Sequence, residues 1–330
     1  MTKKTRNFVL GAGGILAIGL TTGLVASLGL PVAMSQAAGP AELEYVPADA
    51  TAIGYANVQE VMASELRQRL RKLEPDTRER DDFESRTGVD IERDIDSVVG
   101  AVLPTGATTG RDHRPLVVAR GRFDQVRIEG LAREHGGEAT DYQGVRLLSH
   151  ADGDKSVALG FLEPGVLAVG SADAVRAAID AKRSGRSVLS NTDLMRLVDD
   201  IDASNAWAVG RFDALAANAD LPGGLHDKIP TLSWFSASGH LNGGVSGTIK
   251  AEAKDEEAAA NLRDMLRGVV AMVKLQAGDN PGLKAMTDSL QLGGDGKTVA
   301  VAFAVPAEVF DVLDALREQK RQQRGADAPR

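Results

Sequence analysis

Ala119-Arg120-Gly121-Arg122-Phe123-Asp124 and Ala208-Val209-Gly210-Arg211-Phe212-Asp213 are two copies of one local pattern, down to a shared Gly-Arg-Phe-Asp. Ala52-Ile53-Gly54-Tyr55-Ala56-Asn57 and Ala168-Val169-Gly170-Ser171-Ala172-Asp173 extend it as Ala-x-Gly-x-x-Asp/Asn. Each copy lies where an apolar strand gives way to an amphipathic helix. The glycine is expected to permit a bend as the chain leaves the strand. The Asx side chain is expected to cap N–H groups that the first helical turn leaves unpaired. A recurring strand-to-helix joint implies that one α+β unit is used twice.

Outward from these joints the periodicity alternates between short apolar runs and helical stripes. Residues 50–58 read as a strand and 59–73 as a helix, with Val61, Met62, Leu66, Leu70 and Leu73 on one stripe. A charged connection, 74–86, leads to strands at 97–103 and 114–123, a helix at 124–135, strands at 144–148, 156–162 and 166–170, and helices at 172–182 and 192–201. The second half repeats the order. A strand at 206–212 and a short helix from Asp213 precede a hairpin, 232–241 and 244–253, across the tight-turn pair Asn242-Gly243. A long helix at 255–276, strands at 289–292 and 298–305, and a helix at 307–318 complete it. The expected fold is α+β, with two duplicated lobes at 45–203 and 204–319. Each lobe is a mainly antiparallel sheet with helices on one face. A linker at 38–44 precedes the lobes and a basic tail at 320–330 follows them.

Residues 1–37 set the address. Lys3, Lys4 and Arg6 precede a run without charge, and its apolar centre, 8–34, spans about 40 Å as a helix, longer than a bilayer core of about 30 Å. A basic flank, an apolar run and then an acidic domain is the order of an export signal. Two outcomes stand open. Ser35-Gln36-Ala37 followed by Ala38 suits cleavage, whereas the length of the run suits an uncleaved membrane anchor. The expected location is the cell envelope of a bacterium, on the periplasmic or extracytoplasmic side, either anchored in the membrane through residues 8–34 or secreted.

Composition narrows the chemistry. The 330 residues carry 38 basic and 46 acidic side chains, a net charge of −8, with no cysteine. Three of the basic residues and none of the acidic ones lie in the first 37, so the remainder is more acidic than the whole. Without cysteine there is no disulfide scaffold, thiolate metal site, thiol nucleophile or lipoprotein anchor. The acidic balance argues against nucleic acid as a partner.

The motifs that resemble known sites fail on context. Gly11-Ala12-Gly13-Gly14 has neither the strand nor the acidic residue that a dinucleotide loop needs, and it lies in the apolar leader. In Gly293-Gly294-Asp295-Gly296-Lys297-Thr298, Gln291 stands where a P-loop has its first glycine, and a strand pattern follows. Asp152-Gly153-Asp154 lacks the other ligands of a calcium loop. His113, His135, His150, His226 and His240 show no metal spacing. Gly244-Val245-Ser246-Gly247 is too short for a nucleophile elbow and reads as strand. No cofactor, metal or catalytic residue is therefore assigned. Arg122 and Arg211 are candidate anion-binding residues beside two helix N-termini, although capping alone explains the spacing of their motif.

The chain resembles an uncharacterised bacterial envelope family, a domain of unknown function behind an N-terminal membrane segment. The resemblance is carried by Tyr45-Val46-Pro47-Ala48-Asp49-Ala50, Thr87-Gly88-Val89-Asp90-Ile91, Tyr142-Gln143-Gly144-Val145, Gly165-Val166-Leu167-Ala168-Val169-Gly170 and the strand from Ala206. It implies an exported protein and transfers no site residues. The functional expectation is a non-enzymatic protein that binds another envelope component, a protein or a lipid. The alternatives are an exported hydrolase with a dispersed Ser/His/Asp site, and a carrier of an apolar ligand lined by 268–273. Such an apolar run is more often buried core.

Overall fold

The computed structural model describes residues 40–73, 78–104, 113–152, 155–202, 204–212, 232–277, 281–306 and 309. Residues 1–37, expected to be an export segment, Asp213 with its expected helix, most of 307–318 and the expected tail 320–330 lie outside the described residues. In chain order the elements are a 3-10 turn (Ala41–Tyr45), β1 (Ala52–Asn57), α1 (Val58–Ala63), α2 (Glu65–Leu73), α3 (Arg78–Thr87), α4 (Ile91–Asp94), β2 (Ile95–Pro104), β3 (His113–Gly121), α5 (Gln125–Glu134), β4 (Glu138–Tyr142), β5 (Val145–Asp152), β6 (Lys155–Glu163) and β7 (Val166–Gly170). There follow α6 (Ala172–Ser184), a 3-10 turn (Val188–Ser190), α7 (Thr192–Asp199), β8 (Ala206–Arg211), β9 (Leu232–Leu241), β10 (Gly244–Ala253), α8 (Glu256–Ala277), α9 (Pro281–Asp288), β11 (Gln291–Gly293) and β12 (Thr298–Pro306).

The fold is α+β, built on a large antiparallel sheet. The strands join in one twelve-stranded sheet, ordered β11-β12-β10-β9-β8-β1-β2-β3-β7-β6-β5-β4. The expectation of one sheet per lobe is corrected here. β1 and β8 pair antiparallel from Ala52↔Gly210 to Ala56↔Ala206, so the sheet runs unbroken across residue 203. Two small, apolar, β-compatible strands lying side by side satisfy each other's backbone groups and leave no inner edge. The outer edges are poor templates for a further strand. β4 carries Glu138 and Asp141 and is exposed along most of its length, and β11 has three residues.

Helices on one face is the second correction, but for the first half alone, whose strands are covered on both faces. On the front, α6, α7 and the two 3-10 turns pack on Ile53, Val99, Val118, Ala168, Trp207 and Val209. On the back, Ile128 and Ala132 of α5, with Met62 and Phe83, cover Val98, Val117, Leu167 and Val169. α8 covers Leu232, Ala253 and Val299 through Ala259 and Leu262. β2, β3 and β7 are apolar on both faces, so each face needs its own cover. Packing also starts before the expected linker ends, since Leu43 is wholly buried and Glu42 nearly so.

The joints are built partly as their pattern implies. Asn57 Oδ1 accepts from Glu60 N at 3.0 Å and Asp124 Oδ1 from Arg127 N at 3.0 Å. In the third copy Ser171 is the cap, accepting from Ala174 N at 3.2 Å, while Asp173 lies inside the first turn of α6. The glycines do another job from the one expected. None of Gly54, Gly121, Gly170 and Gly210 has left-handed φ. At Gly121 and Gly210 a Cβ would overlap the backbone of Asp94 and of Thr51–Ala52, and at Gly170 it would come within 2.6 Å of the Pro115 carbonyl. They permit close approach to a neighbouring strand or turn.

The helix expected at 59–73 is two helices. Ser64 is extended (ψ 147°), donates its hydroxyl to Val61 O at 2.6 Å and accepts from Arg67 N at 3.2 Å, ending α1 and starting α2. Part of the charged connection is helical, as α3, and β4 and α9 were not foreseen. Among the described residues no helix is long and apolar enough to cross a membrane.

Candidate functional site

A cavity of about 570 Å³ opens at the ends of the central strands and is lined by Asp49, Thr51, Asn191, Asp193, Arg211 and Trp234. Its floor follows from register. Arg211 N donates to Thr51 O at 2.9 Å, and Arg211 lies directly opposite Trp234 on β9. Cross-strand partners share a face, so Thr51, Arg211 and Trp234 stand in one row on the front of the sheet. Trp234 is half-buried and packs against the front core.

Two walls rise from that floor. One is the turn before β1, closed by Ala50 N to Pro47 O at 3.1 Å, which carries Asp49. The other is the start of α7. Asn191 caps it, accepting from Leu194 N at 3.1 Å, and ties the walls together by donating to Ala48 O at 2.8 Å. The amide of Asn191 is thus occupied in structure, as is the Thr51 hydroxyl, which donates to Val102 O at 3.1 Å. Asp49 and Asp193 are exposed to solvent, and neither makes a hydrogen bond or ion pair among the described residues. Arg211 has a partner of its own. The cleft therefore offers two uncommitted carboxylates, a guanidinium and an indole, the mixture of polar anchors and aromatic surface that binding sites use.

The two arginines from the sequence do not share a surface. Arg211 ends β8, level with the start of β1, whereas Arg122 follows the end of β3, level with the end of β1. Several residues of strand, about 20 Å, separate those two ends of the sheet. Arg122 is well exposed and faces Asp94 at 3.5 Å and Asp96 at 3.9 Å. Arg211 alone lines the cleft, and the two carboxylates beside it oppose an anion.

A second polar cluster is buried beneath the N-terminal 3-10 turn. Glu42, only 3 % exposed, accepts from Arg120 Nε and from Ser97 Oγ at 3.1 Å. Arg120 also faces Glu163 at 3.5 Å. Nearby, burial above all, then the Glu42 and Glu60 carboxylates, pushes the Tyr55 hydroxyl up to about 12. Burial followed by its hydrogen bond to Glu163 raises Tyr45 further still. Elsewhere Glu129 is buried. Desolvation raises its pKa, but hydrogen bonds from Gln125, Arg146 and Arg133 outweigh this and hold the carboxyl below the usual range. Every charged group in these clusters has a partner, which is the signature of structural ion pairs.

Groups needed for nucleophilic chemistry are not brought together among the described residues. His135 and His150 each bond through Nδ1 to a backbone carbonyl, at 2.8 Å and 3.0 Å. Ser246 and His240 are cross-strand partners, but no hydrogen bond joins them. The described residues hold no cluster of three or more His, Asp or Glu suited to a metal. Within 268–273, Val270 and Ala271 line a smaller cavity, about 200 Å³, with Leu290, Leu292 and Val301. Val269 and Met272 are 45 % and 60 % exposed, so this run is not the buried core its composition suggests. Compared with known proteins, the chain matches no family model, no curated protein and no solved structure.

Proposed function

We propose that this chain is an exported, non-enzymatic protein of the bacterial envelope that holds another envelope component in the cleft between Asp49, Asp193, Arg211 and Trp234. The observation that carries the reading is the cleft itself, a cavity with carboxylates left uncommitted and an aromatic floor. Export is supported by the basic, then apolar, order of residues 1–37, with 8–34 serving as a membrane anchor if it stays uncleaved. The resemblance to an envelope family belongs to the same reading.

Internal duplication belongs to it as well. The strand order β1-β2-β3-β7-β6 on one side of the β1–β8 pair parallels β8-β9-β10-β12-β11 on the other. A helical connection follows β3 and another follows β10. Two copies of one unit that meet through antiparallel first strands would be related by a twofold axis normal to the sheet. β4 and β5 are then an addition to the first copy. The cleft lies where the copies meet, at the starts of β1 and β9 and the end of β8.

The natural chain has no cysteine, so Ser233→Cys, exposed at the cleft mouth, gives one reactive site. Intact cells are treated with a membrane-impermeant maleimide and, separately, with a photo-crosslinker placed on that cysteine. Labelling from outside the inner membrane, with a discrete adduct lost on Trp234→Ala, is expected. Labelling only after lysis removes the export reading. Turnover of an ester, peptide or glycoside, abolished by one Ser or Asp substitution, removes the non-enzymatic one.

A further inference from the structure

We infer that the cleft binds an organic ammonium group, held between the Asp49 and Asp193 carboxylates against the indole of Trp234. The inference rests on the reading of this cavity as a binding site and deepens it. Three of the polar side chains lining the cleft are already committed. The Asn191 amide spans Leu194 and Ala48, the Thr51 hydroxyl is spent on Val102, and Arg211 is already partnered. Of its charged groups, the carboxylates of Asp49 and Asp193 are the two with no partner among the described residues, and they come from opposite walls, the turn before β1 and the start of α7.

Local structure accounts for one of them at most. Asp193 lies in the first turn of α7, where an acid favours the helix dipole. Nothing comparable places Asp49, which is on a turn and faces the same cavity. An ammonium ion satisfies both free carboxylates by charge-assisted hydrogen bonds and gains from the electron-rich indole. An anion meets two like charges in the same space, and a neutral polyol leaves both carboxylates without a counter-charge. In an envelope this group is carried by an amine-bearing lipid headgroup or by an amino sugar.

The test uses the full chain carrying Trp207→Phe, so that Trp234 is its one tryptophan. Its emission is titrated at constant ionic strength with ethanolamine, glucosamine, glucose and inorganic phosphate. A saturable change with either amine is expected, with glucose and phosphate at least about tenfold weaker. Asp49→Asn with Asp193→Asn should weaken the amine by about tenfold or more while the urea midpoint stays unchanged, which excludes unfolding as the cause. A response to ethanolamine alone points to the lipid headgroup, and one to glucosamine alone to the amino sugar. Both support the inference. Equal binding of glucose and glucosamine, phosphate binding in preference to amines, silence with both amines, or indifference to the double substitution overturns it. If Ser233→Cys still gives its adduct in cells under any of those results, the binding cleft stands and only the ammonium assignment falls.

Discussion

Removing Arg120 should destabilise the protein far more than neutralising Glu42, although the two form one ion pair. The asymmetry comes from burial. Glu42 is 3 % exposed, whereas about a third of the Arg120 side chain reaches solvent and also faces Glu163 at 3.5 Å. Arg120→Met leaves a buried carboxylate with one hydroxyl donor, Ser97 Oγ, and stranding a charge in this way costs about 3–5 kcal/mol. Glu42→Gln keeps an oxygen for Ser97 and leaves Arg120 with water and Glu163, so the loss is about 1 kcal/mol, that of a weakened hydrogen bond. With both substitutions the stranded charge disappears, so the double variant should be more stable than Arg120→Met alone and fall short of the summed single costs by about 1.5–3 kcal/mol of coupling. Urea unfolding at neutral pH, followed by tryptophan emission and compared at equal slope, measures all three. Equal costs for the single substitutions, or strict additivity in the double, would show that burial of Glu42 does not govern this pair.

Two further outcomes follow from other buried groups. Tyr55 is held near pKa 12 against an unfolded value of about 10. Its neutral form thus contributes stability that is fully present below pH 10 and lost as the pH rises toward 12; Tyr55→Phe should flatten the alkaline fall in urea midpoint over that window, and an unchanged slope counts against it. The Asn205 amide, 2 % exposed, donates to Leu241 O at 2.9 Å and accepts from Leu241 N at 3.0 Å. Asn205→Ala strands both backbone groups at a cost of about 2–4 kcal/mol and should release the Leu241 amide to hydrogen exchange, whereas retained protection there would refute the assignment.

Much of the fold is legible locally. The hairpin at Asn242-Gly243, the capping roles of Asn57, Asp90 and Asp124, and the long helix begun by Asp255 depend on neighbours a few residues apart. The break at Ser64 is harder to see, because a serine inside a helical stripe looks like any polar position until its hydroxyl turns back to Val61. β4 escaped notice since an exposed edge strand, Glu138 to Tyr142, shows no buried alternate face.

The candidate site was half visible. Arg211 stood out through its repeated motif, but its companions did not, because Asp49, Asp193 and Trp234 are isolated in sequence and lie in a turn, a helix start and a strand. Arg122 stood out equally and lies at the other end of the sheet. Repetition in a sequence reports a shared local joint and carries no information about which copies meet.

By itself the sequence determined what short-range chemistry can settle: strands, caps and tight turns, the absence of thiol chemistry, and a first stretch whose charge and apolarity differ from all that follows. Only the tertiary structure decided that the halves share one sheet through β1 and β8, that the first half needs helices on both faces, and that two carboxylates without a partner among the described residues line one cavity with an indole. The physical reason is separation along the chain. Strand pairing and cavity lining join residues more than a hundred positions apart, and no local preference of Asp49 or Trp234 encodes the other.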